Sequence, residues 1–329
     1  MIEAARTVRC PCAEFPSASR RDFVRSLSSA GILLAAAQTG KSTPSAQNET
    51  PPQAPTLRAP DAASARTKEL VAKMSIDVPP QIQVAHSISY RLSTREDADQ
   101  RRLDIYRNMN SGKNPVVIFI HGGAWRSGHR RQYVPLGVSL ALKRITAVIP
   151  SYSQAPKYPF PEPVRDAASV VSWVHDNIDK LGGNPDKIFL AGHSSGVQIA
   201  ALVALDPHYL LFHKLPTTVI RGVIALSGIY EVPPGFEYAF GGSEEARAQA
   251  SPSRFIREGA PPFLVVRGGH DTEIVIQQSP LFIARLKSAG ISVEEEVYPE
   301  EDHNSIIALA SIRNSELIER IDRFVEDRS

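Results

Sequence analysis

The sequence predicts an α/β fold: a doubly wound, mostly parallel sheet with an antiparallel N-terminal strand pair and a small lid insertion. Three observations predict it. Apolar runs of strand length alternate with helical patterns along most of the chain. The run at 116–120 is apolar throughout, as in strands buried on both faces. The first two candidate strands, 82–92 and 103–107, are joined by a short polar turn that suits an antiparallel return.

The remaining elements follow in order. A helix is expected over 133–143, a strand over 145–149, and a helix over 164–179 whose Val164, Ala167, Ala168, Val171, Val174 and Ile178 share one face. A strand at 187–191 runs directly into a helix at 195–205, and strands follow at 222–226 and 263–267. A helix at 276–289, a strand at 292–298 and a last helix at 304–324 complete the unit. This order is that of a sheet covered on both faces. With 42% hydrophobic and 22% charged residues, the 329-residue chain has enough apolar material for one large core, which excludes disorder of the whole chain.

The folded unit is expected over 68–329. Ahead of it, Arg20-Arg21 precede an apolar run over 30–37 that ends in Ala35-Ala36-Ala37, the outline of a twin-arginine export signal over 1–37. Export would place the protein in the periplasm or outside the cell; without it the location is cytoplasmic. Residues 38–67 are rich in Pro, Ser, Ala, Gln and Thr and read as a flexible tether. Cleavage after Ala37 removes five arginines and three acids and leaves 32 basic and 32 acidic residues. A neutral balance suggests neither nucleic acid nor an anionic membrane as a partner. Cys10 and Cys12 leave with the signal, so the mature chain has no disulfide or thiol chemistry. No other apolar run has the length of a transmembrane span, and the oligomeric state is not legible.

Gly192-His193-Ser194-Ser195-Gly196 lies between a strand and a helix. On so tight a turn a serine is held in a strained backbone that lifts its oxygen clear of the sheet, which makes Ser194 the candidate nucleophile. An attacking serine generates an oxyanion, best stabilised by main-chain N–H groups. His121-Gly122-Gly123-Ala124-Trp125 ends a strand and offers them: Gly123 and Ala124, joined by Ser195, with His121 and Gly122 as the supporting loop. The serine also needs a base and the base a carboxylate, in the order serine, acid, histidine. Asp271 and His303 follow strands and fit that order; Glu273 and Asp302 are rival acids, and His270 and His193 rival bases. No His, Asp and Glu cluster has metal-ligand spacing, and no cofactor is required.

With these residues the chain from about 101 onward resembles the α/β-hydrolase esterases and lipases of the hormone-sensitive-lipase and BD-FAE-like groups. In His-Gly-Gly-x-Trp it is similar to kynurenine formamidases. Supporting stretches are Pro150-Ser151-Tyr152-Ser153-Gln154-Ala155-Pro156, Tyr158-Pro159-Phe160-Pro161, Ser227-Gly228-Ile229-Tyr230 and Ala250-Ser251-Pro252. Ala124, where lipolytic relatives often have glycine, and Ser195, where alanine is commoner, depart from the pattern. The resemblance implies a serine esterase acting on a small-molecule ester through an acyl-enzyme, without metal or cofactor. Alternatives are an arylformamidase-type amide hydrolase and an inactive binding member of the fold. The connection 228–250 reads as the lid, and Trp125 and Tyr230 as walls of a substrate pocket.

Overall fold

The computed structural model describes residues 64–92 and 97–329. The expected export signal and all but the last four residues of the expected tether lie outside the described residues. Eight strands, β1 (Ile82–Ser89), β2 (Arg102–Asn108), β3 (Asn114–Ile120), β4 (Thr146–Pro150), β5 (Gly183–His193), β6 (Ile220–Leu226), β7 (Phe263–His270) and β8 (Val293–Asp302), form one sheet. Their order is β1-β2-β4-β3-β5-β6-β7-β8. β2 runs antiparallel to both of its neighbours and the remaining pairings are parallel, so the expected architecture is the observed one.

Strand periodicity explains why the apolar runs have no polar face. Val116, Ile118 and Ile120 point into one core, Val117 and Phe119 into the other. The first core is covered by α3 (Glu162–Asn177), α4 (Ser195–Leu205) and α8 (Glu273–Ser288). The second is covered by α1 (Ala65–Lys73), α2 (Val134–Leu142), α9 (His303–Ala310) and α10 (Glu316–Glu326). Every residue of α4 is buried, which is why it carries no charged residue and no polar stripe.

Two helical expectations are corrected. The single helix expected over 304–324 is two, α9 and α10, because Asn314 takes a left-handed φ of 56° and Ser315 caps a new helix by accepting from Ile318 N at 3.2 Å. The helix α1 was not expected, and it crosses the boundary drawn between 67 and 68. Short helices α5 (Pro207–Phe212), α6 (Glu237–Phe240) and α7 (Glu244–Gln249) also went unassigned. For α5 the signal was present: Asp206 caps it and Pro207 occupies its first position.

The hairpin edge is anchored by a buried ion pair. Arg130 is fully buried; its Nε donates to Asp104 Oδ1 at 3.1 Å and its other nitrogens reach Asp99 Oδ1 at 2.7 Å and Asp99 O at 2.8 Å. Asp104 is equally buried and accepts from Ser87 N at 2.7 Å. Arg130→Met leaves that carboxylate in the core without its cation, which should cost about 3–5 kcal/mol. Thermal unfolding checks this, and an unchanged Tm contradicts it.

Register then places the site. Ile120 pairs with Gly192, His193 with Leu226, and His270 with Asp302, so the loops that leave β3, β5, β6, β7 and β8 open on one edge of the sheet.

Candidate active site

Ser194 sits at the β5-to-α4 turn with φ 54° and ψ −124°, a conformation costing about 1–3 kcal/mol in a non-glycine residue. Its neighbours make that turn possible. A Cβ on Gly192 would lie 2.5 Å from Gly196 O, and one on Gly196 would lie 2.1 Å from Ile120 O. The two glycines of the motif are therefore required by close backbone approach, and Ser194 N bonds Leu226 O at 3.0 Å to hold the elbow against β6.

His303 is the first residue of α9, and its Nε2 lies 2.8 Å from Ser194 Oγ. Its Nδ1 lies 2.8 Å from Asp271 Oδ1. Asp271 is buried; Oδ1 also accepts from Thr272 N at 2.8 Å, and Oδ2 accepts from Ser227 Oγ at 2.5 Å and from Gly268 N at 3.3 Å. Burial alone would raise the carboxyl, but the charge and hydrogen bond of His303, with Ser227 and Thr272, hold it below the ordinary aspartate value. Burial pulls His303 the other way, yet Asp271 outweighs it and leaves the imidazole above its ordinary value. With the acceptor on the Nδ1 side, the proton belongs there and Nε2 is left as the acceptor facing Ser194.

The rivals are occupied elsewhere. Glu273 is exposed and bonds Gln277 on its own helix at 2.9 Å, and His270 is exposed. Asp302 caps α9 through Asn304 N and Ser305 N, each at 2.8 Å. His193 is buried, and its Nε2–H donates to His303 O at 2.8 Å. Burial first, then the charge of His303, pushes His193 down to about 3, so it stays neutral at working pH.

Three successive peptides of the 121–125 loop have their carbonyls pinned, which turns their N–H groups to the opposite side. His121 Nδ1–H holds Gly122 O at 2.8 Å. Gly123 O accepts from Arg126 N, Ser127 N and Ser127 Oγ at 3.1, 3.0 and 3.0 Å. Ala124 O accepts from Tyr238 OH at 2.9 Å, while Trp125 N donates to Ser195 Oγ at 3.4 Å. Positive φ at Gly123 (129°), Ala124 (49°) and Trp125 (60°) bends the chain to allow this. Among the described residues the N–H groups of Gly123 and Ala124 have no main-chain acceptor. His121 is held neutral, pushed down to about 4 by burial, and stacks on Tyr152 at 4.3 Å.

Trp125 and Tyr230 do not stand on an open pocket wall. Trp125 is 3% exposed, edge-on to Phe236 and Phe240 at 5.0 and 4.7 Å, and its Nε1 bonds Gln198 Oε1 at 2.7 Å. Tyr230 is 1% exposed and stacks on Phe282 at 4.0 Å. Both are core residues where the 228–250 connection packs on the sheet, since large aromatic rings gain most from burial there. A cavity of about 720 Å³ between α3 and α5, lined by Arg165, Trp173 and Tyr209 among others, contains no residue of the site.

Ser227 and Gln198 are site neighbours to which the sequence gives no role, and His193 supports the His303 main chain instead of acting as the rival base. Ser227 was the most accessible of them, because it directly follows β6 on the edge that carries every other site residue. The glycines before His270 belong here too. A Cβ on Gly268 would lie 2.1 Å from Glu301 O, so the acid and histidine loops come together only because no side chain intervenes.

A strained serine on a strand-to-helix elbow, a histidine between it and a buried carboxylate, and a loop of turned N–H groups thus stand together on one edge of the sheet. A family model described as alpha/beta hydrolase fold matches residues 117–253. The kynurenine formamidase of Danio rerio is 30% identical over 221 residues, 64% of this chain and 73% of that protein. The chain belongs to the α/β-hydrolase fold family. It is also similar to esterase LipQ of Mycobacterium tuberculosis (29% identical over 245 residues, 68% of this chain) and to the isoprenylcysteine alpha-carbonyl methylesterase ICME of Arabidopsis thaliana (28% over 266 residues, 72% of this chain). It spans 58% and 62% of their lengths, less than two thirds of each. Among solved structures, a phosphonate-inhibited esterase B from Lactobacillus rhamnosis superposes with a TM-score of 0.67 at 19% identity, covering 80% of this chain and 91% of that one. A thermophilic carboxylesterase cloned from a metagenomic library gives 0.65 at 20% identity, covering 80% and 93%. At these identities the superpositions speak for the fold.

Among the described residues, no group of three His, Cys, Asp or Glu side chains is placed to hold a metal ion, and no helix is long and apolar enough to cross a membrane.

Proposed function

We propose that the protein hydrolyses carboxylic esters of small molecules through an acyl-enzyme on Ser194. The observation that carries the proposal is the continuous relay from Ser194 Oγ through His303 to Asp271, 2.8 Å at each step. Ser194 Oγ attacks the ester carbonyl carbon while its proton passes to His303 Nε2. The carbonyl oxygen becomes an oxyanion facing the N–H groups of Gly123, Ala124 and Ser195. Collapse breaks the bond to the alcohol, which leaves with the proton from His303. Water then attacks the acyl group with His303 as base, releasing the acid and restoring Ser194. The esterases LipQ and ICME among its relatives support this reading.

Likeness to a kynurenine formamidase supports a second reading, cleavage of an aryl formamide by the same residues. Assaying short nitrophenyl esters beside formylkynurenine decides between them, and preference for the amide overturns the first. The same assay has a pH signature. His303 acts only when neutral, and Asp271 holds its value above the ordinary 6.5, with Asp302 adding to the effect and His193 uncharged. The rate should therefore be full at alkaline pH and fall as pH drops through a midpoint above 6.5. A midpoint in the carboxylate range removes His303 as the base.

The Arg20-Arg21 pattern and the apolar run after it support a further part of the proposal, export by a twin-arginine signal over 1–37. The lengthy polar stretch that follows supports a tether ahead of the catalytic unit.

A further inference from the structure

The helix α1 is tied to the loop that presents His303. Asp302, the residue before His303, is a shared cap: its Oδ1 accepts from Asn304 N and Ser305 N at 2.8 Å, holding the first turn of α9. The same Oδ1 accepts from Thr67 Oγ1 at 3.2 Å, and Oδ2 accepts from Ser64 Oγ. Ser64 in turn caps α1 by accepting from Thr67 N at 3.0 Å. One residue earlier, Glu301 is 3% exposed and accepts from Arg66 Nε at 3.0 Å. Thr67 is fully buried at this junction, and Leu70, Val71 and Met74 share a core with Ile306 and Ile307 of α9.

We infer that Ser64, Arg66 and Thr67 are positioning residues for the reaction: by holding Asp302 and Glu301 they set where the first turn of α9, and so the His303 imidazole, stands relative to Ser194. The inference rests on the proposed hydrolase activity and extends it to a helix that lies outside the 117–253 family match. Its physical basis is lever-like. His303 begins α9, so its ring follows that turn, and a misplacement of about 1 Å at a reacting group can cost on the order of 100-fold in rate. A helix that merely covered apolar surface would not direct a buried hydroxyl and a guanidinium at the two residues preceding the base.

The test uses the full-length chain carrying Arg66→Gln and Thr67→Val together. The expected result is a fall in kcat of about 10- to 100-fold with KM unchanged, and fluorophosphonate labelling slowed by the same factor. The acid limb of the pH profile should also move down toward the ordinary histidine value as the contact with Asp271 loosens. Lys73→Ala, on an exposed ion pair of the same helix, should match the wild type. Where the double variant does not fold, Thr67→Ser, which keeps the hydroxyl, is compared with Thr67→Val, and only the valine variant should lose kcat. A folded variant with wild-type kcat and an unmoved pH profile overturns the inference alone. A wild type that neither turns over esters nor reacts with the probe overturns both it and the hydrolase reading.

Discussion

Ser194→Ala should lower ester turnover by about 10⁴- to 10⁶-fold and abolish fluorophosphonate labelling, with the circular dichroism spectrum unchanged. The size of the effect follows from the geometry. Without Oγ, His303 Nε2 loses its partner at 2.8 Å, and water must attack the substrate without the oriented oxygen. The residual rate is what the turned N–H groups of the 121–125 loop and substrate binding supply by themselves. The fold should survive because the strained turn is imposed by its neighbours: the Gly192 and Gly196 contacts and the Ser194 N to Leu226 O bond are untouched by the substitution. Equal labelling of wild type and variant would place the nucleophile elsewhere.

Asp271→Asn should cost about 10⁴-fold in kcat, although it exchanges one atom for another of nearly the same size. The aspartate accepts from five donors: His303 Nδ1, Thr272 N, Thr272 Oγ1, Ser227 Oγ and Gly268 N. An amide has only one accepting oxygen, so its NH₂ must face a donor. If the NH₂ faces His303, the histidine proton moves to Nε2, and the atom that should take the serine proton already carries one. If it faces Ser227 and Gly268, two buried donors lose their acceptor and the loop is destabilised. The first arrangement costs Thr272 N its acceptor and leaves a nearly inactive protein, whereas the second strips two buried donors, so the larger fall in Tm on thermal unfolding marks the second. Near-normal turnover would transfer the acid role to another carboxylate such as Glu273, which here is exposed and bonded to Gln277.

Legibility followed the range of the interaction. The β3 run and the elbow between β5 and α4 could be read because their patterns are local: period-2 burial on a two-faced sheet, and glycines at fixed spacing about a serine. The last helix was misread for an equally local reason. Only Ile312 is apolar over 311–315, and Asn314 in a left-handed conformation with Ser315 capping the next helix marks where the backbone turns. Trp125 and Tyr230 were placed on a pocket wall because aromatic composition does not reveal depth; the packing of Phe236, Phe240 and Phe282 buries them.

From the sequence come the order of the eight strands, the elbow at Ser194, the glycine loop after His121, and the order in which serine, carboxylate and histidine occur. Tertiary structure decided which of the carboxylates and histidines meet. Ser194 and His303 are 109 residues apart, and Ser64 and Asp302 are 238 apart. Such pairs are created by strand register and by glycines that let two loops touch, as Gly268 does against Glu301. The partners of Ser227 and His193, and the clamp from α1, are not legible for the same reason: a single hydroxyl or imidazole carries no pattern until folding brings a partner within about 3 Å.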